Sequence, residues 1–153
     1  MIRAAVEADA EDLALLSGQL GYPVRASEVQ SRLTLIESRG DGHVFVAEVE
    51  GAVVGWVHVH GVHVLESPGH AEIGGLVVDE RCRGRGIGKD LMTAAERWSA
   101  SMGYGTVRVR SNVTSETARG FYRRLGYSEM KHQAVFTKSI LVEDGHREGP
   151  QDA

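Results

Sequence analysis

The chain has one cysteine, Cys82, in 153 residues. That excludes an internal disulfide and suits a reducing cytoplasm. It has no apolar run near the ~20 residues that a membrane-spanning helix needs. Its opening, Met1-Ile2-Arg3-Ala4-Ala5-Val6-Glu7, meets an acidic residue too early for a secretory signal. The expectation is a cytoplasmic protein with no membrane partner. Surplus positive charge is lacking too: the formal net charge is -4 and the sequence pI about 6.0, which argues against a nucleic-acid partner. Two familiar phosphate loops are also missing. A P-loop reads Gly, four residues, then Gly-Lys-Ser/Thr, whereas Gly88-Lys89 is followed by Asp90 and the residue five places before Gly88 is Arg83. A dinucleotide fingerprint reads Gly-x-Gly-x-x-Gly, and Gly84-x-Gly86-x-Gly88 has another spacing.

What is present is a 42% apolar, 25% charged composition, that of an ordinary globular domain with a full core. Within it lies a local basic, glycine-rich run, Arg83-Gly84-Arg85-Gly86-Ile87-Gly88-Lys89. An apolar segment, Ile73-Gly74-Gly75-Leu76-Val77-Val78, precedes it. A helical pattern, Ile87, Leu91, Ala94, Ala95, Trp98 and Met102, follows. Strand, glycine turn and helix start together make an anion site. The glycines allow a tight turn, and the first helix amides point outward unpaired at the positive end of the helix dipole. The run reads as a pyrophosphate cradle.

The remaining pattern predicts a first strand over Ile2–Val6 and a helix over Ala10–Leu20, capped by Asp9 and closed by Gly21. A second helix opens on a Ser27-x-x-Gln30 capping box and ends before Gly40. Strands follow at Val44–Val49 and Val53–Val64, joined at Glu50-Gly51, and at Ala71–Val78. After the Gly86–Met102 helix come a strand at Thr106–Arg110 and a helix capped by Thr114 or Ser115, with Gly126 past its end. A hairpin of Tyr127–Met130 and Ala134–Ile140 completes the fold. The order is β-αα-βββ-α-β-α-ββ, a three-layer α/β arrangement with a mixed sheet. Residues 1–141 are expected to form one domain and the polar residues 142–153 a loose tail.

Arg83, Gly86 and Gly88 meet an Arg/Gln-x-x-Gly-x-Gly/Ala signature, which resembles motif A of the GNAT superfamily of N-acetyltransferases. The order of elements is similar to the GNAT fold over nearly the whole chain. The resemblance implies that Arg83 to Lys89 (Gly84, Arg85, Gly86, Ile87 and Gly88 between them) hold the pyrophosphate of acetyl-CoA. It implies a bulged strand splayed from its neighbour, so that the backbone of Leu76, Val77 and Val78 binds pantetheine and an amide near Leu76 or Val77 meets the thioester oxygen. Phe121-Tyr122-x-x-Leu125-Gly126-Tyr127 resembles the family segment whose tyrosine points to the CoA sulfur, and Asn112 matches an asparagine that touches the pantetheine arm.

The implied activity is acetyl transfer from acetyl-CoA, as co-substrate, to a primary amine by direct attack in a ternary complex. Attack needs a neutral amine, hence a proton acceptor, and the departing thiolate needs a donor. Glu72, eleven residues before Arg83, matches the strand glutamate that serves as base in histone-type members, with waters as the competing base. Tyr122 is the candidate acid. The alternative is a silent acyl-CoA-binding sensor. His58, His60, His63 and His70 cluster around one strand and its turn, and no acidic or cysteine partner stands at metal-ligand spacing. No metal is expected, and the histidines remain open between a pocket role and a hydrated face. The acceptor is a small-molecule or protein amine of unspecified class. The family allows a homodimer, for which no exposed apolar stripe speaks.

Overall fold

The computed structural model describes residues 1–111 and 114–143. The chain divides into two units, Met1–Ser111 and Asn112–Ala153.

In the first unit the order is β1 (Ile2–Ala4), α1 (Ala10–Gln19), α2 (Ala26–Arg39), β2 (Gly42–Val49), β3 (Ala52–Val62), β4 (His70–Val78), α3 (Ile87–Ser101) and β5 (Val107–Val109). Single 3-10 turns at Glu7–Asp9 and Glu80–Cys82 precede α1 and the glycine run. The five strands lie side by side in sequence order. The β1–β4 pairs are antiparallel and β4–β5 is parallel, so the sheet is mixed as expected. The β2–β3 connection turns through Glu50 (φ 51°) and Gly51 (φ 80°), the left-handed pair that a tight hairpin requires.

Alternation along β3 sorts the two layers. A Cβ at Gly55 would lie 3.2 Å from Leu91 Cδ1 of α3, so Gly55, Val57 and Val59 face α3, where Leu91, Met92 and Ala95 are fully buried. Trp56, His58 and His60 face the other way, toward α1 and α2. There Ala5, Leu13, Leu33 and Val46 form a buried cluster against which Trp56 packs.

The helix starts differ in detail from the sequence expectation. Asp9 precedes α1, yet its buried carboxylate accepts from Arg3 through both oxygens (2.9 Å each) and from the Val6 amide (2.8 Å). It serves the strand-to-helix corner because a cation lies within reach. The capping box of α2 is not Ser27–Gln30. The helix begins one residue before Ser27, and Glu28 accepts the Arg25 amide at 3.0 Å.

In the second unit α4 spans Glu116–Arg124 and is capped by Ser115, whose hydroxyl accepts from the Ala118 amide. Gly126 follows with φ 94°. The hairpin expected over Tyr127–Met130 and Ala134–Ile140 is not formed: residues 127–143 carry no strand. Its apolar residues Val135, Phe136 and Ile140 are 84%, 92% and 77% exposed. A two-stranded ribbon without a buried face is marginal in water. Glu129 instead gathers Arg119, Arg123 and His132 at 2.6–3.0 Å. Together they draw its carboxyl down to about 2, Arg119 first.

Candidate active site

The site in the first unit is built from β4 and the turn after it. In the pairing with β3, His58 lies opposite Gly75 and Val59 opposite Ile73. Gly74 is therefore an extra residue, a β-bulge. The parallel strand β5 pairs only with Ala71, Glu72 and Ile73. From Gly74 to Val78, β4 is paired with β3 alone, and the edge that would continue toward β5 has no strand partner among the described residues. Leu76, Val77 and Val78 lie on that stretch of edge.

The glycines also make room. A Cβ at Gly74 would lie 2.7 Å from His58 Nδ1, and one at Gly75 2.7 Å from Trp56 Cη2. Bulge and clearance hold together here. Burial lowers the His58 imidazole to about 4, with neighbouring His60 adding to the effect, so this ring is neutral at physiological pH.

After Val78 the chain turns on Asp79, whose carboxylate accepts from the Arg81 amide and guanidinium at 3.0 Å each. Gly84 and Gly86 both have φ 81° and open space where a Cβ would stand. Gly86 is the N-cap of α3 and supplies no side-chain cap. The first amides of α3 are left to an external acceptor. The Ile87 side chain is buried in the core, which leaves its backbone to that role. Arg83, Arg85 and Lys89 are exposed around the turn, and Arg83 Nε donates to the Val78 carbonyl at 3.2 Å.

Glu72 lies on the face shared with Trp56, His58 and His60, directly opposite His60. Its side chain is 16% exposed, with Oε1 3.5 Å from His70 Nε2 and 3.4 Å from Arg110 Nε. On the same layer a cavity of about 150 Å³ is lined by Leu13, Leu33, Ile36, Val44, Trp56 and His58, among others. His63 belongs elsewhere: with Asp41 it meets the Tyr104 hydroxyl, at 3.0 and 2.7 Å, at the far end of β3. Among the described residues no group of three His, Cys, Asp or Glu is placed to hold a metal ion.

Tyr122 is on α4 in the second unit, edge-on to Phe121 and Tyr127 (centroids 5.1 and 6.0 Å). Burial raises its phenol above the ordinary value, so it carries its proton at neutral pH. Asn112 lies outside the described residues. Sequence reading missed the Glu72–Arg108 register pair. The signal was available, since Arg108 and Arg110 alternate on one face, but the parallel register was not.

The model of the Acetyltransferase (GNAT) family matches residues 10–127, and the chain belongs to that family. Two uncharacterized N-acetyltransferases of Methanocaldococcus jannaschii are 36% and 37% identical over 93 and 92 residues. These stretches are 60% and 57% of this chain but 41% and 53% of theirs. The chain thus spans about half the length of these curated relatives. An aminoglycoside N(6')-acetyltransferase type 1 of Stenotrophomonas maltophilia is 29% identical over 140 residues, 88% of this chain and 90% of that protein. Among solved structures, the aminoglycoside N-acetyltransferase AAC(6')-Iy in complex with CoA superposes with a TM-score of 0.79 at 19% identity, over 92% of this chain and all of that one. No helix among the described residues is long and apolar enough to cross a membrane.

Proposed function

We propose that the protein transfers the acetyl group of acetyl-CoA to a primary amine by direct attack, both substrates being held at once. The observation that carries this is the half-edge of β4, without a strand partner among the described residues, running into a helix start with no side-chain cap. Backbone groups for an extended arm and amides for a pyrophosphate follow one another without interruption. That arrangement fits acetyl-CoA, which would supply an activated acyl group there. The open space at Gly84 and Gly86 fits the approach of phosphate oxygens to backbone. The backbone of Leu76, Val77 and Val78 receives the pantetheine arm. Gly84, Gly86, Gly88 and the Ile87 amide receive the pyrophosphate, with charge from Arg83, Arg85 and Lys89, and Asn112 joins on the family motif.

Glu72 takes the proton of the amine, directly or through a water. An amide near Leu76 or Val77 donates to the carbonyl oxygen as negative charge develops on it. Tyr122 returns a proton to the thiolate as the carbon–sulfur bond breaks, a role supported by the motif and by its protonated phenol. Holding both reactants removes the entropy cost of their encounter. Residues 1–141 act as one functional domain in this reading. Aminoglycoside-modifying relatives point to small-molecule amines as acceptors, and a homodimer and a cytoplasmic setting accord with it.

The test is release of CoA thiol from acetyl-CoA across a panel of amines, with Tyr122→Phe and Glu72→Gln alongside. Acceptor-dependent release that falls in both variants is expected. Tight CoA binding with no release from any amine would leave a CoA-binding sensor as the better reading.

A further inference from the structure

The face of the sheet that carries Glu72 has an unusual balance of charge for this chain. The protein as a whole has a net charge of -4. On β4 and β5, however, Glu72 is the one carboxylate, and the parallel register sets Arg108 beside it on the neighbouring strand. Arg110 follows two residues later on the same face, its Nε 3.4 Å from Glu72 Oε1. His70, 4% exposed, stands two residues before Glu72, also on that face.

Hydrogen bonding is out of balance in the same direction. Among the described residues, Arg108 Nε is buried without a hydrogen-bond partner, as are Trp56 Nε1 and both ring nitrogens of His70. Glu72 Oε1 is in the same condition among the described residues. Buried donors without acceptors are rare in folded proteins. Of these, Arg108 and His70 flank the carboxylate assigned to the amine proton, and what Arg108 Nε lacks is an acceptor.

We propose that the acceptor is a primary amine bearing an anionic oxyacid group, a carboxylate or a phosphate, which Arg108 binds while Glu72 faces the amine. This rests on the transfer reading above and specifies its substrate. Adjacent strands lie about 4.8 Å apart, so amine and oxyanion are separated by only a few bonds. Arg108 is a specificity-determining residue in this arrangement. A guanidinium fits both carboxylate and phosphate with paired hydrogen bonds. Polycationic acceptors are disfavoured, because their further ammonium groups would meet two arginines.

The experiment compares matched acceptors: 4-aminobutyrate against 4-aminobutyramide for the carboxylate, O-phosphoethanolamine against ethanolamine for the phosphate, and spermidine as a polycation. The parent, Arg108→Gln and Arg108→Lys are assayed together, with thermal unfolding to check that each variant is folded. Binding of glutarate and of propylphosphonate, which carry no amine, is measured by calorimetry on the same proteins. At least a tenfold preference in kcat/KM for one anionic acceptor over its neutral partner is expected. It should reside mainly in KM, collapse in Arg108→Gln and survive in part in Arg108→Lys. Equal use of anionic and neutral partners, preference for spermidine, or a preference untouched by Arg108→Gln would overturn the proposal. If no amine is acetylated, anion binding that depends on Arg108 upholds this inference while the transfer reading falls. Absence of both turnover and anion binding removes the inference as well.

Discussion

From Ala71 to Ile73, β4 is paired on both edges, and this first half of the strand carries His70 and Glu72 on one face. From Gly74 to Val78 β4 offers two glycines, three apolar side chains and, among the described residues, a backbone edge paired with β3 alone. One strand thus divides two demands that conflict. In the proposed reading, the proton acceptor is held among neighbours, whereas the extended ligand arm needs backbone that nothing else has claimed. The division falls at Gly74, and the pairing with β5 stops where the side-chain chemistry stops.

The largest expected effect separates the halves cleanly. Glu72→Gln should lower turnover by about 10²–10⁴-fold, the usual scale of a lost general base, with CoA affinity unchanged by calorimetry. An equal loss of CoA affinity would show that the halves are not independent. At the junction, His58 should give the fold a pH dependence. Its folded-state pKa of about 4 lies below the ~6.5 of an unfolded histidine, so the unfolded chain takes up the proton first. Stability is then full above pH ~6.5 and falls as pH drops toward 4, by at most about 3 kcal/mol. Denaturant titrations of the parent and His58→Gln at pH 7 and pH 4.5 measure it, and a parent slope identical to the variant's would refute the buried neutral ring.

In the second half, Gly75→Val must displace the Trp56 ring, whose Cη2 lies 2.7 Å from the added Cβ. A loss of about 1–3 kcal/mol in stability is expected, with weaker CoA binding and no specific change in the pH profile of turnover. The smallest effect belongs to the turn. Gly86→Ala places a side chain at φ 81°, at a cost of about 1–2 kcal/mol. It should weaken CoA binding several-fold in equilibrium titration without altering the chemical step.

The sequence was most legible where local chemistry decides. Gly40, Gly51, Gly86 and Gly126 all take the positive φ that their turn positions called for, and Ser115 caps α4 as its position implied. It was less legible where a distant partner decides. Asp9 has the right residue type and place for a cap, but Arg3 claims its carboxylate. Glu28 accepts the Arg25 amide, a half-box that the residue type at position 25 gives no sign of. Val135, Phe136 and Ile140 have strand-forming side chains, yet no propensity supplies the surface that a hairpin must cover. At the site, Gly74-Gly75 announced an irregularity. Which of the two was the extra residue depended on β3, and the neighbourhood of Glu72 depended on the register of β5.

That extra residue has a further consequence. Side chains along a strand alternate, so Glu72, Leu76 and Val78, all an even number of positions apart, would by count lie on one face. They do not: Glu72 stands opposite His60, whereas Leu76 stands opposite Val57 and Val78 opposite Gly55, on the face of α3. Gly74 acts as a frameshift in the alternation. It lets a segment written as one nearly continuous apolar run hand its carboxylate to one layer and its leucine to the other. The same letters without that insertion would send Leu76 and Val78 into the layer of the histidines and turn Val77 toward α3.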